Sequence, residues 1–159
     1  MTKIKNPYNE LPGYNCFGCS NKNPIGLHLG FELKDDAVVA LWKPDGNYQG
    51  WDNVLHGGII ATLLDEAASW AVQVFLDTCG VTSQLQVNYL RPVLIDKGAV
   101  RVEACLKSRH DDRHVVLATR LYDSDSQLCA VADVTYYIYT QEEAREKFNY
   151  FGRRELGLE

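Results

Sequence analysis

One long apolar stretch of the sequence carries two adjacent carboxylates, Asp65 and Glu66, and has polar residues at its beginning. From Gly57 to residue 76, these two are the only charged residues. A carboxylate in apolar surroundings can act as a general base or as a nucleophile toward an electrophilic carbon. His56 and Gly57 stand at the start of the stretch, where the free N–H groups of a helix can stabilise negative charge developing on an oxygen. Together these residue types suit chemistry at a polarised carbonyl group.

Small residues surround Asp65 on the predicted helix. Its neighbours three and four positions away are Ala61, Thr62, Ala68 and Ser69. A second surface or a ligand can therefore approach this carboxylate closely. The alternative is a carboxylate that is satisfied by a hydroxyl or a backbone amide, or exposed at the end of a groove. Glu66 lies one step round the helix and is predicted to be structural.

The apolar stretch itself predicts a helix that begins at Gly57. A helix that is apolar on nearly every face is normally the buried centre of a domain. Twenty helical residues would extend about 30 Å, enough to cross a small domain. We expect the helix to end at Cys79 and Gly80, because glycine commonly terminates helices.

Strands are predicted on both sides of this helix, because apolar and polar residues alternate there with a period of two. Before the helix, residues 27–33 and 37–42 are predicted to form a hairpin. After the helix, strands are predicted at residues 81–90, 98–108, 114–123 and 128–140. This order predicts an α+β fold in which an antiparallel sheet packs against a single helix.

The whole chain, residues 1–159, is predicted to form one domain. Residues 1–26 are predicted to be irregular, because proline and glycine interrupt them. Thr140 and Glu143 fit a capping box, which predicts a short helix within residues 141–159 that frays into the C-terminus. A sheet covered by one helix leaves a face or an edge open, and dimerisation would cover it.

Composition limits the classes of function. A chain of 159 residues with a formal net charge of -5 suits one globular domain and argues against non-specific binding of nucleic acid. The N-terminus lacks the apolar core of a signal peptide, and Asp65 and Glu66 interrupt the best candidate for a membrane span. Five cysteines without an export signal indicate reduced thiols and a cytoplasmic location. We expect no nucleic-acid partner and no membrane contact.

The segment Cys16-Phe17-Gly18-Cys19 has the spacing of a metal or redox motif. Zinc needs about four ligands, and the sequence offers no second close pair; His28 alone does not complete a set. A thioredoxin-like function is not expected, because the motif lies in a loop without a strand-to-helix context. We therefore predict a structural loop, with no bound metal and no cofactor.

The run HGGIIATLLDEAA begins at His56, follows a polar loop and precedes a strand that starts with Gly-Val-Thr and ends in Leu-Arg-Pro. This pattern resembles the hotdog-fold acyl-CoA thioesterases, and the most similar group is the phenylacetyl-CoA/4-hydroxybenzoyl-CoA thioesterase type. The resemblance covers the chain from about Asn15 to Tyr139. It implies an antiparallel sheet wrapped around one long central helix, in dimers or dimers of dimers. Similar CFGC segments followed by Asn-Pro-x-Gly-Leu occur in some of these proteins.

The same resemblance implies catalytic roles for three residues. Asp65 matches the family's acidic residue, which serves as nucleophile or as general base toward water. The amide of Gly57 matches the group that holds the thioester oxygen, and His56 supports orientation. The alternative for His56 is a histidine at a helix start that is hydrogen-bonded to backbone.

Four further residues are predicted to bind the substrate. Gly58 lets backbone approach a ligand closely. Gln49 or Asn53, in the loop before the helix, can hydrogen-bond the substrate or the catalytic carboxylate, and Gln49 resembles a recurring polar position of the family. Thr82 matches a position that helps to place the water. Ordinary loop and strand-end hydrogen bonding is the alternative for Gln49 and Thr82.

The spacing of His56 and Asp65 constrains the assembly. Nine helical residues extend about 13 Å, which is too far for both groups to reach one carbonyl. A site that uses both must take them from two chains, with two copies of the helix antiparallel across a two-fold axis. The mechanism therefore requires a homodimer, and the resemblance adds a homotetramer built from two dimers.

The function implied by the resemblance is hydrolysis of an acyl-CoA thioester to a carboxylic acid and free coenzyme A. Two alternatives stay open: a hotdog dimer that binds an acyl-CoA or acyl-carrier ligand without turnover, and a hotdog enoyl-thioester hydratase. Basic side chains that could meet the phosphates of coenzyme A are Arg91, Lys97, Arg109 and Arg113. Apolar or aromatic walls for the acyl group could come from Trp51, Trp70, Phe75 and Tyr89.

Overall fold

Seven β-strands and two α-helices make up the fold, which is described by a computed structural model of residues 1–159. In chain order the elements are β1 (Thr2–Lys3), β2 (Glu32–Lys34), β3 (Ala37–Trp42), α1 (Gly57–Leu76), β4 (Gly80–Tyr89), β5 (Val100–Arg109), β6 (His114–Tyr122), β7 (Leu128–Ile138) and α2 (Gln141–Phe148). All seven strands join one sheet in the order β1-β2-β3-β5-β6-β7-β4, and every neighbouring pair is antiparallel. The predicted α+β architecture is confirmed.

The helix α1 packs against strands β3 to β7 and supplies the centre of the core. Leu63, Leu64 and Val72 on this helix are fully buried. The helix has the length and hydropathy of a membrane span, but 56% of that apolar window is buried inside the fold. More than half of this window is therefore accounted for by packing inside the fold.

The end of α1 differs from the prediction. The helix stops at Asp77, which adopts the left-handed conformation with φ of 51°, whereas Gly80 opens strand β4. The Asp77 carboxylate accepts hydrogen bonds from the Tyr150 hydroxyl at 2.8 Å and the Arg153 amide at 3.2 Å. Prediction of a Cys79-Gly80 terminus was wrong because these distant partners, invisible in the local sequence, hold an aspartate in a conformation that usually favours glycine.

The hairpin before the helix is confirmed, but its first strand is shorter than predicted. Only Glu32–Lys34 pairs with β3, although Leu27 and Leu29 are buried as the alternation requires. The backbone amides of Leu27 and Leu29 instead donate to the carbonyls of Phe17 and Gly18, at 2.8 and 2.9 Å. This stretch therefore binds the loop that contains the Cys-x-x-Cys motif.

The four strands after the helix start and end within two residues of their predicted bounds. Strand β4 is an edge of the sheet, since it pairs only with β7. It exposes the apolar side chains of Val81, Leu85 and Tyr89. A ten-residue edge strand with exposed apolar side chains is a template for pairing with another chain.

The C-terminal segment packs onto the fold. The predicted capping box of Thr140 and Glu143 is present and starts α2. Beyond this helix, Leu156 and Leu158 are buried, and the Leu156 carbonyl accepts from the Lys5 amide at 2.9 Å. The prediction of a fraying end was wrong, because two leucines in the last four residues fill part of the core.

Candidate active site

The Asp65 carboxylate is held by two hydroxyl groups of the sheet. Its Oδ1 accepts from the Thr82 hydroxyl at 2.7 Å and lies 3.1 Å from the Tyr136 hydroxyl oxygen. The Tyr136 hydroxyl also lies 3.1 Å from the backbone carbonyl oxygen of Asp65. Oδ2 has no partner within the chain. One carboxylate oxygen is thus fixed and the other is free to meet a water or a substrate.

Strand pairing explains why Thr82 and Tyr136 reach the same carboxylate. They lie directly opposite each other on β4 and β7, and side chains of such a pair share one face of a sheet. Just beyond this pair, the register of β4 shifts between Thr82 and Gln84, a bulge of the kind that bends a strand locally. Burial first, and then the charge of Asp65, raises the pKa of Tyr136, so the hydroxyl keeps its proton and donates.

The start of α1 presents one free backbone amide. His56 is the N-cap residue, and its Nδ1 accepts from the Gly58 amide at 2.8 Å. The Gly57 N–H has no partner in the chain, as expected for the first helical residue. The Tyr89 hydroxyl donates to the Gly57 carbonyl at 2.7 Å and so fixes this turn of the helix. The Gly57 amide can therefore donate to an oxygen that carries developing negative charge.

His56 has the arrangement given above as its alternative, in which a histidine at a helix start is hydrogen-bonded to backbone. Because Nδ1 of His56 accepts from Gly58, the neutral ring carries its proton on Nε2. The ring is exposed and lines the pocket at the mouth of the helix. In this position His56 caps the helix and leaves one N–H for a ligand.

A pocket of about 400 Å³ opens at this mouth. It is lined by Asn47, Tyr48, Gln49, His56, Gly58, Ile59 and Thr62. Gln49 and Gly58, both predicted to bind substrate, thus share one pocket with His56. Asn53 does not line it; its Oδ1 accepts from the Asp96 amide at 3.0 Å and ties the loop to the turn before β5.

Within one chain, the amide and the carboxylate are not brought together. Gly57 and Asp65 are eight helical residues apart, which is about 12 Å along the axis. Thr82 contacts Asp65. Gln49, His56 and Gly58 instead line the pocket at the start of α1. A site that combines the Gly57 amide with the Asp65 carboxylate would therefore need one group from each of two chains, as the sequence predicts.

The other residues predicted to line the acyl pocket or to meet the phosphates of coenzyme A differ in burial and in their partners. Trp70 is buried and stacks on Phe31, 5.5 Å between ring centroids, so it belongs to the core. Trp51 is 85% exposed. Lys97 and Arg113 already form ion pairs, at 3.1 and 2.6 Å, whereas Arg91 and Arg109 form none.

Glu66 contacts different residues from Asp65, as expected because it lies one step round the helix. Its carboxylate oxygens lie 3.7 and 3.9 Å from the Cys16 sulfur, and Oε1 accepts from the Trp70 indole at 3.2 Å. Burial first, and then the Cys16 charge, raises the pKa of Glu66 to about 7. The Cys19 thiol and the amides of Gly18 and Cys19 lower the pKa of Cys16 by hydrogen bonding. Two thiols and a carboxylate at this spacing could hold a metal ion.

Two tyrosines at the site were missed as functional contacts. Tyr136 lies on the inward side of a strand whose alternation was recognised, but nothing local indicates a contact with Asp65, 71 positions away in the sequence. Tyr89 was considered only as a wall for the acyl group, and it fixes the helix start instead. Both contacts depend on how the sheet wraps the helix.

Comparison with known proteins gives the family. Residues 52–130 match the family model described as the thioesterase superfamily. A protein of Saccharolobus solfataricus, provisionally named an esterase, is 38% identical over 90 residues, which are 55% of this chain and 57% of that protein. The chain therefore spans little more than half the length of that relative.

Solved structures show the same fold. A thioesterase of Haemophilus influenzae aligns with a TM-score of 0.68 and 24% identity, over 77% of this chain and 86% of that chain. A hypothetical thioesterase protein of Streptococcus pneumoniae, solved with coenzyme A, aligns with a TM-score of 0.62 and 22% identity, over 69% and 84% of the two chains. The phenylacetyl-CoA/4-hydroxybenzoyl-CoA subgroup stays a prediction. With its seven-stranded sheet around α1, the chain has the hotdog fold and belongs to the thioesterase superfamily.

Proposed function

We propose that the protein is an acyl-CoA thioesterase, which hydrolyses R–CO–S–CoA to a carboxylic acid and free coenzyme A. The observation that carries the proposal is the Asp65 carboxylate, with one oxygen fixed by Thr82 and Tyr136 and the other without a partner. A carboxylate held in this way can take a proton from a water that attacks the thioester carbon, or it can attack that carbon itself and form an anhydride that water then hydrolyses. The coenzyme A in the Streptococcus pneumoniae structure supports this choice of thiol.

The Gly57 amide supplies the second part of the mechanism. It would donate to the thioester oxygen and stabilise the negative charge that develops when the carbonyl carbon is attacked. Collapse of the tetrahedral intermediate breaks the C–S bond and releases the coenzyme A thiolate. A thiolate is a good leaving group, so the site needs no strong general acid.

The geometry of β4 supports a shared site in a homodimer. Thr82, near the start of β4, contacts Asp65, and Tyr89, at its end, contacts Gly57. If two β4 edges pair antiparallel about a centre near Leu85, Thr82 of one chain lies beside the partner's Tyr89. That pairing brings Asp65 of one chain to the partner's Gly57 and creates two equal sites. A tetramer and a cytoplasmic location stay predictions.

The test is release of thiol from a panel of acyl-CoAs by wild type, Asp65→Asn and Gly57→Pro. Asparagine keeps the shape of aspartate and removes its charge, so activity should fall at least about a hundredfold. Proline at the first helical position removes only an N–H that the helix leaves unpaired. His56 is extended, with ψ of 133°, as a residue before proline prefers. A Cβ at position 57 would lie 3.5 Å from the Tyr89 ring, an ordinary contact.

Mixing the two inactive variants tests the shared site. Free exchange of subunits makes about half of the dimers mixed, and each mixed dimer holds one intact site and one doubly inactive site, so roughly a quarter of wild-type activity should return. If subunits exchange and no activity returns, the site is not shared. If wild type binds acyl-CoAs and hydrolyses none of them, the non-catalytic binding dimer replaces the enzyme. Hydration of an enoyl thioester by wild type would identify the hydratase.

A further inference from the structure

The Cys-x-x-Cys loop docks on α1 at Glu66. The sulfurs of Cys16 and Cys19 and a carboxylate oxygen of Glu66 all lie within 4.8 Å of one another. We propose that these three side chains form a binding site for a zinc-like divalent metal ion. Such a site would be separate from the thioesterase chemistry, because Glu66 lies one step round the helix from Asp65.

The spacing of the ligand atoms fits tetrahedral zinc. Zn–S bonds of about 2.3 Å and Zn–O bonds of about 2.1 Å, at a tetrahedral angle, place sulfur and oxygen about 3.6 Å apart. The Cys16 sulfur lies 3.7 and 3.9 Å from the two oxygens of Glu66. An ion could enter between these atoms with little movement of either side chain.

The loop is rigidly positioned for such a role. Every carbonyl of the segment from Cys16 to Cys19 accepts a hydrogen bond. The donors, in order, are the amides of Ser20, Leu27 and Leu29 and the side chain of Asn6, at 3.1, 2.8, 2.9 and 3.0 Å. A site whose backbone is already fixed loses little conformational freedom when it binds an ion.

Gly18 lets the loop approach the carboxylate. A Cβ at position 18 would lie 2.5 Å from the Glu66 carboxyl group, so any larger residue would separate the thiols from it. Two neighbouring side chains hold the proposed ligands in place. The Trp70 indole donates to Glu66 at 3.2 Å, and the Tyr14 hydroxyl lies 3.0 Å from the Cys19 sulfur. Hydrogen bonds of this kind orient metal ligands in proteins.

No cation balances this cluster. Glu66 takes part in none of the ion pairs of the fold, although it is half-buried between the loop and α1. Charged groups taken from water are normally paired or bound to metal. The cluster faces a cleft of about 220 Å³, with room for a water as the fourth ligand. Three protein ligands and one water are a common set for zinc.

Cobalt(II) added to reduced, chelator-treated, full-length protein tests the site, because thiolate ligands give cobalt a charge-transfer absorption in the near ultraviolet. We expect the absorption to saturate at one ion per chain and zinc to displace the cobalt. Cys16→Ser should lose about half of the absorption, and the double variant with Cys19→Ser should lose all of it. Glu66→Gln should weaken binding at least about tenfold, as loss of a ligand must exceed the loss of an orienting group.

Two variants serve as controls. Cys105→Ser removes a thiol on β5, outside the cluster, and Asp65→Asn removes the proposed catalytic charge; both should bind cobalt like wild type. Wild type without the charge-transfer absorption, or an absorption that survives loss of both Cys16 and Cys19, would overturn the proposal. The wild-type readout depends neither on thioesterase activity nor on the folding of any variant.

Discussion

Removing the Tyr136 hydroxyl should show how much its hydrogen bond to Asp65 contributes to stability and how much to catalysis. Tyr136→Phe keeps the buried ring and deletes the hydroxyl, which lies 3.1 Å from Oδ1 and 3.1 Å from the backbone carbonyl oxygen of Asp65. A hydrogen bond to a charged acceptor contributes about 1.5–3 kcal/mol. Asp65 is half-buried, so water can partly replace the hydroxyl, and we expect about 1.5 kcal/mol. For a chain of this size the melting temperature should fall by roughly 3–6 °C.

Tyr150→Phe is a matched control at the other end of the same helix. Tyr150 is also buried, and its hydroxyl donates to the carboxylate of Asp77 at 2.8 Å. Both variants should lose similar stability. Only Tyr136→Phe should lose activity, by about tenfold in kcat/KM if the 1.5 kcal/mol appears in the transition state.

The assay is thiol release with the best acyl-CoA, at a protein concentration fixed for all variants because stability of a dimer depends on concentration. If Tyr136→Phe loses stability and keeps wild-type kcat/KM, the orientation of Asp65 is irrelevant to the reaction and the reasoning fails. Equal losses of activity in both variants would show that general destabilisation, and not the carboxylate, is responsible.

Two further substitutions test contacts away from Asp65. Gly18→Ala should destabilise the fold by about 1–3 kcal/mol in urea unfolding, because its Cβ would overlap the Glu66 carboxyl group. Gly30→Ala, whose Cβ meets nothing within 4 Å, should not. Hydrogen bonding to Arg113 lowers the pKa of Glu143 to about 2 from its ordinary value of 4.5. The Glu143 charge therefore stabilises the fold above pH 4.5, and this contribution disappears as the pH falls toward 2. The difference in unfolding free energy between wild type and Glu143→Gln should shrink over that range. A constant difference would contradict this assignment.

Local patterns in the sequence were sufficient for most of the scaffold. Alternating apolar residues gave the four long strands, and the uninterrupted apolar run gave α1. The first strand of the hairpin was overextended at Leu27 and Leu29, since alternation reports burial and not the partner of the backbone. Those amides donate to the carbonyls of Phe17 and Gly18, and the local sequence of neither segment indicates this pairing.

The chemistry of Glu66 shows the same limit. The sequence offers two cysteines and a nearby histidine, His28, without a fourth ligand, and on that basis we predicted no metal. Glu66 joins Cys16 across 50 positions of sequence, and this meeting depends on the loop folding back onto the helix. By contrast, Asp65 could be singled out early, since a charge in an apolar helix is unusual in itself.

The position of Asp65 on α1 also restricts how related chains can differ in length. One residue inserted between Gly57 and Asp65 would advance the later helix by about 1.5 Å and turn it by about 100°. A leucine, Leu64, would then face Thr82 and Tyr136, and the aspartate would move toward the cysteine loop. One deletion would instead bring Glu66 to the two hydroxyls and leave the cysteines without a carboxylate. We therefore expect related chains to differ by substitution within this segment and by insertions and deletions only in surface turns such as residues 123–127.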